Sequence, residues 1–326
     1  MRKNNIDGRL LTHGLRAMCA ANFLLYAAVY MLLGVIPMAL ADDATCIYPA
    51  FLAGMLLVGP FHAYLADAFK RKHILLLSYT GVGITMAVAS YIYEAHYAWL
   101  ALLQGACFAL ASGAGTTISI DITLSGHRTS GNMLFAFCGR VGMVAGLTAG
   151  AWGIGHYPLA WLSYASALLC AIGILLCTTI YVSFRAPIGL KLCSLDRFLL
   201  GRAWLPALNV GILAFSFGII GSFLTGLSAS ISWIWMLPML VLPLLTPLWV
   251  KMFVKLSHHC QRATGNMTFN LLMDGGLIAG TWTMCVMNSQ DKVPIGEDTL
   301  AMSALVLAIL MFVFATRPYY KKKRVR

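Results

Sequence analysis

Residues 63–77 read AYLADAFKRKHILLL: one acid, Asp67, closes an apolar run, and Lys70, Arg71 and Lys72 crowd in before the next begins. The runs on either side, 46–66 and 73–93, are each long enough to cross a bilayer, since about 20 apolar residues span the roughly 30 Å hydrocarbon layer as a helix. A short charged turn between two such runs reads as a helix–turn–helix at a membrane face. Acid and bases separated by so few positions must meet there, paired with one another or with the end of a neighbouring helix.

The rest of the chain has the same character. It is 60% hydrophobic and 10% charged with a mean hydropathy of +0.80, whereas soluble domains carry about a quarter charged residues. Apolar runs fall at 17–40, 46–66, 73–93, 97–120, 132–154, 158–183, 204–226, 230–250, 267–287 and 300–316. They are continuous, without the short alternating segments of a membrane barrel, so an all-α polytopic bundle of about ten spans is expected. The step Ala39-Leu40-Ala41 before Asp42 has the form of a signal-cleavage site, but the preceding run exceeds the roughly 7–15 residues of a signal core and is read as a span.

Lys and Arg concentrate at the amino end, in alternate loops and in the tail KKKRVR, with Lys292 the exception; Asp42, Asp43, Glu94, Asp291, Glu297 and Asp298 fall in the other loops. The positive-inside rule then puts both termini in the cytoplasm of a plasma or bacterial inner membrane. The net charge of +12 follows from this topology. The bases form no single patch among stacking aromatics, so no nucleic-acid partner is expected; the tail has the composition of a contact for anionic lipid. Cys19, Cys107, Cys138, Cys170, Cys177 and Cys285 lie inside spans with no C-x-x-C pair and read as small buried hydrophobes. No metal cluster, phosphate loop or nucleotide motif is present, so no cofactor and no ATP hydrolysis are expected.

With those residues in place, the chain resembles the major facilitator superfamily, whose loop between helices 2 and 3 carries G-x-x-x-D-R-x-G-R-R/K. Asp67, Arg71 and Lys72 fall on the acid and the last two bases, while Ala63, Ala68 and Lys70 replace the first glycine, the first arginine and the second glycine. ALLQGACFA from Ala101 matches the family's R-x-x-Q-G at Gln104 and Gly105, with Ala101 in place of the arginine. The resemblance implies a six-helix half over 1–184, a cytoplasmic connection over 185–203 and an incomplete four-helix half over 204–326. Gly59-Pro60 and Thr246-Pro247, each shortly before a basic loop, agree with a parallel repeat. It also implies a gate at Asp67, Arg71 and Lys72 whose acid reaches helix 11 of the family. This chain lacks a helix of that number, so Asp67 has another partner, or a second chain supplies the missing helices, or the sequence is a shortened member.

Ionisable residues at membrane depth face protein or a water-filled cavity. Arg140 in the fifth span and Asp274 in the ninth stand out. Asn266, Asn270 and Asp274 are four apart and share one helix face, which either lines a pathway or bonds a neighbouring helix. Arg140, beside the stripe Gly142, Gly146 and Gly150, has three readings: an anion contact, a partner for Asp274, or a side chain snorkelling to the surface. Asn22, Tyr26 and Tyr30 are four apart in the first span; by resemblance they line a central cavity with Gln104, Ser112 and Asn209. Pro238, Pro243 and Pro247 should bend the eighth span, and Trp233, Trp235 and Trp249 read as interface anchors.

The expectation is a secondary transporter of a small solute working by alternating access, driven by a coupling ion or by the solute's own gradient. The alternative is a non-transporting receptor or assembly subunit of the same ancestry. An enzyme is not expected, the nearest candidate cluster being His127 and Arg128 beside Asp121.

Overall fold

The computed structural model describes residues 10–39, 44–89, 91, 96–182, 192–195, 198–227, 239–258, 261–289 and 297–324. Among these there is no strand, and ten long helices follow one another: α1 His13–Leu33, α2 Ala44–Ala68, α3 Arg71–Val88, α4 Tyr97–Ile122, α5 Arg128–Ile154, α6 Leu159–Thr178, α7 Trp204–Leu227, α8 Val241–Leu256, α9 Arg262–Ser289 and α10 Glu297–Met311. A helical turn at Ile36–Ala39 follows α1, and α10 runs on through Arg317–Lys323. The side chains of Asp67, Glu297 and Asp298, and residues Asp42, Asp43, Glu94, Asp291, Trp233, Trp235 and Pro238, lie outside the described residues.

The helix ends follow from local chemistry. Thr12 caps α1 by accepting from the backbone N–H of Leu15 at 3.3 Å, so α1 starts a turn before its apolar run. Pro318 has no N–H to donate, and the chain just ahead of it widens into a π turn over Phe312–Thr316. Among the described residues seven helices are long and apolar enough to cross a membrane, which makes this a multi-pass membrane protein. The three outside that set are α3, the 16-residue α8, and α9, whose apolar length is broken by Asn266, Asn270 and Asp274.

Side-chain contacts fix the two ends of the bundle. One carries the bases: Arg71 pairs with Asp121, Lys72 reaches the end of α6, and the Tyr319 hydroxyl donates to the Arg202 carbonyl at 2.9 Å. At the opposite face Tyr48 donates to the Leu33 carbonyl and the Trp282 indole to the Thr45 carbonyl at 2.8 Å.

Between helices in lipid there is little hydrophobic drive, so close backbone approach through small residues holds a bundle together. A Cβ at Gly142, Gly146 or Gly150 of α5 would run into the carbonyls of Phe23, Ala27 and Met31 on successive turns of α1. Later in the chain the same device recurs: Gly276 and Gly280 of α9 lie against the Gly211 and Phe215 carbonyls of α7. Gly146→Leu is therefore expected to destabilise the protein by about 1–3 kcal/mol or more, as overpacking does, seen as a lowered thermal midpoint in detergent.

The packing repeats as well. Helix α1 packs chiefly on α5 and then α6; α7 packs chiefly on α9 and then α10. Across the bundle α2 meets α9 and α5 meets α8. Thus α9 and α10 hold the places that α5 and α6 hold in the first six helices, and the pair without a counterpart is α3 and α4. Numbering helices along the chain suggested instead that the last two of a complete set were missing. Trp249, read from sequence as an interface anchor, is buried and meets Phe312 edge-on at 5.3 Å.

Candidate functional site

Four-residue spacing puts Tyr26 and Tyr30 on one face of α1, and the same spacing puts Asn270 and Asp274 on one face of α9. The glycine contact with α1 brings α5 close, and Arg140 of α5 enters the space between them. Arg140 is 1% exposed and Asp274 fully buried, and the two form an ion pair. The second guanidinium nitrogen, Nη2, donates to Asp274 Oδ2 at 3.2 Å and to Asn270 Oδ1 at 3.4 Å. Tyr30 donates its hydroxyl proton to Asp274 Oδ1 at 2.7 Å, and Tyr26 to Oδ2 at 3.2 Å. One carboxylate thus accepts from three side chains.

Aromatic rings wall the charges in. The Arg140 guanidinium lies 4.9 Å from the centroid of the Tyr26 ring and 5.8 Å from that of Phe269, within cation–π range. Phe108 of α4 stands edge-on to Tyr26 at 5.1 Å. Removing one partner of such a buried pair strands the other charge, so the pair, once formed, holds α5 and α9 together firmly.

Two cavities flank this cluster. A small, partly open cavity toward the opposite face is lined by Tyr30, Leu147, Phe217, Leu277 and Thr281. Another small, partly open cavity toward the basic face is lined by His62, Ser112, Phe198, Asn270 and Asp274. Tyr30 and Asp274, hydrogen-bonded to each other, therefore belong to the partition between them. Ahead of α7, Phe198 of the connecting chain lines the basic-face cavity. The Phe198 ring lies where a Cβ on Gly59 would be, Ser194 N–H donates to the Pro60 carbonyl at 3.1 Å, and Leu200 N–H donates to the Thr268 hydroxyl at 2.8 Å. Phe198→Ala is expected to raise the labelling rate of a cysteine placed at Met267 several-fold with a thiol reagent acting from the basic face; an unchanged rate would mean that the ring seals nothing.

The other candidates lie elsewhere. Asn22 donates to the Phe135 carbonyl at 2.9 Å and ties α1 to α5; Asn209 donates to the Ala308 carbonyl at 2.8 Å and ties α7 to α10. Gln104 turns away from the centre and donates to the Thr85 carbonyl of α3 at 3.3 Å. Arg140 does not snorkel, because a carboxylate lies within its reach. At the basic face Arg71 pairs with Asp121 at the end of α4. Lys72 donates to the carbonyls of Thr178 and Ile180 at 2.8 and 2.6 Å, satisfying acceptors at the end of α6. Sequence reading missed Phe198; its only trace was Gly59, a residue small enough to admit the ring.

No protein-family model matches the chain, and no curated protein matches it in sequence. Solved structures do match in fold. The human organic anion transporter MFSD10 (TETRAN) aligns over 92% of this chain and 98% of its own at 14% identity and a TM-score of 0.66. A D-xylose–proton symporter aligns over 96% and 99% at 11% identity and 0.65. A POT family transporter in complex with a thioalcohol-conjugated peptide aligns over 96% and 98% at 12% identity and 0.65. At these identities the likeness is one of fold.

Proposed function

We propose that this chain, which has the major facilitator fold, carries a small solute across a membrane by alternating access, with α1–α6 and α7–α10 as the moving halves. The observation that carries this reading is the Arg140–Asp274 pair, which joins the two halves at a buried partition with a cavity on either side. A partition that opens to one cavity and then the other is what alternating access requires. The connection 185–203 links the halves, Arg71 and Lys72 steady the basic face of the first, and Tyr26, Arg140, Asn270 and Asp274 form the solute and coupling site. The fold neighbours, which include carriers of sugars, peptides and an organic anion, favour transport over a non-transporting subunit or an enzyme. We place both termini in the cytoplasm of a plasma or bacterial inner membrane, on the distribution of Lys and Arg.

Purified protein in liposomes, offered a mixture of sugars, short peptides, nucleosides and organic anions, should accumulate at least one class above protein-free vesicles, and Arg140→Gln should abolish that uptake. If folded protein accumulates none, the reading fails.

A further inference from the structure

The donors around Asp274 are unevenly divided. Tyr26 and Tyr30 belong to α1 and Arg140 to α5, helices bound to each other by the glycine stripe; the acceptor belongs to α9. Separation of α9 from α1 and α5 would therefore leave three converging donors on one side and none of their acceptor. The two charges are not equivalent in that event. Asp274 lines the basic-face cavity, where water or a proton can satisfy it. Arg140 has no neutral form to fall back on, and a buried guanidinium without an anion is costly.

From this we infer that Arg140, Tyr26 and Tyr30 form a carboxylate site that Asp274 fills as a tethered stand-in, and that the carried solute is an organic anion whose acidic group takes Asp274's place. A planar guanidinium with two hydroxyl donors suits a carboxylate, and the walls of Tyr26, Phe108 and Phe269 suit an apolar body attached to it. A neutral sugar would leave Arg140 unpaired and is excluded by the same reasoning. The identity of the solute rests on the transport reading above; the carboxylate site does not.

The test is chemical rescue. Asp274→Ala removes the stand-in and leaves room for a small acid, with acetate as the probe, acetamide as its uncharged counterpart and chloride as the salt control. Acetate is expected to raise the thermal unfolding midpoint of Asp274→Ala saturably by several degrees, acetamide and chloride to do nothing, and the wild type, whose site is filled, not to respond. The rise should vanish in Arg140→Gln/Asp274→Ala. If Asp274→Ala is lost on solubilisation, the same comparison is read as the amount of folded protein recovered with acetate, acetamide or chloride present throughout. Equal effects of acetate and acetamide, or no effect of either, overturn the site. Rescue without uptake of any solute by the wild type would leave the site standing and remove the transport reading; uptake confined to uncharged solutes would remove the organic-anion assignment.

Discussion

Asp274→Ala is expected to cost the protein about 3–5 kcal/mol of stability, the usual consequence of stranding one member of a buried ion pair. Asp274 is fully buried, accepts from Arg140, Tyr26 and Tyr30, and takes part in the only contact between ionised side chains of α5 and α9 among the described residues. Its loss leaves a guanidinium at 1% exposure with no anion beside it and only the Asn270 Oδ1, at 3.4 Å, to accept from it, and leaves two hydroxyls without their acceptor. The pair itself need not stabilise the fold. Arg140→Met combined with Asp274→Leu fills similar volume without charge, and the double variant is expected to recover most of the lost stability, short of the cost of the two tyrosine hydroxyls it still leaves without an acceptor. It should also be inactive, because nothing remains for a charged solute to displace. Thermal unfolding of the two single variants and the double variant measures the coupling directly. Additive losses would mean that the two residues are not paired in the folded protein.

Joining the halves chemically is expected to reduce uptake to the level of protein-free vesicles. The Trp282 indole of α9 donates to the Thr45 carbonyl of α2 at the opposite face, so these positions are neighbours across the two groups of helices. In a background without native cysteines, Thr45→Cys and Trp282→Cys bridged by a short bis-methanethiosulfonate should stop uptake of the solute that the liposome panel identifies. Reductant should restore it, and either single cysteine treated alone should leave it intact. Full activity in the bridged protein would show that α2 and α9 do not separate during transport.

Much of the bundle was legible in the sequence because lipid imposes a simple code: each long apolar run had to be a helix, and the described part of each is one, the run at 230–250 only from Val241 onward. Depth and scarcity were enough to single out Arg140 and Asp274, and fourfold spacing put Asn270 on the face of Asp274 and Tyr26 on the face of Tyr30; that the two faces meet was not legible. That Arg140 meets Asp274 instead of the surface was not legible, because it depends on how α5 and α9 are brought together. The place of α9 was hidden for the same reason. Counted along the chain it is a ninth helix, but Gly276 and Gly280 seat it on α7 as Gly142 and Gly146 seat α5 on α1. The shared glycine spacing was present in the sequence and could have revealed the equivalence. Asn22, Gln104 and Asn209 illustrate the limit of carrying residues over by helix number, since each donates to a backbone carbonyl of a neighbouring helix. Residue type shows that a polar side chain in a span needs a partner; only packing shows which.

On the transport reading, the two groups of helices rock about the Arg140–Asp274 pair. Spin labels at His73 and Lys255 report on the basic face, and labels at Trp161 and Met302 on the opposite face, all exposed positions on α3, α8, α6 and α10. Pulsed electron–electron distance measurements on both pairs, in the wild type and in Asp274→Asn, form the most direct test. Reciprocal change is expected on releasing the charge pair, one distance distribution moving longer as the other moves shorter. Distributions that stay fixed, or that lengthen together, would contradict it.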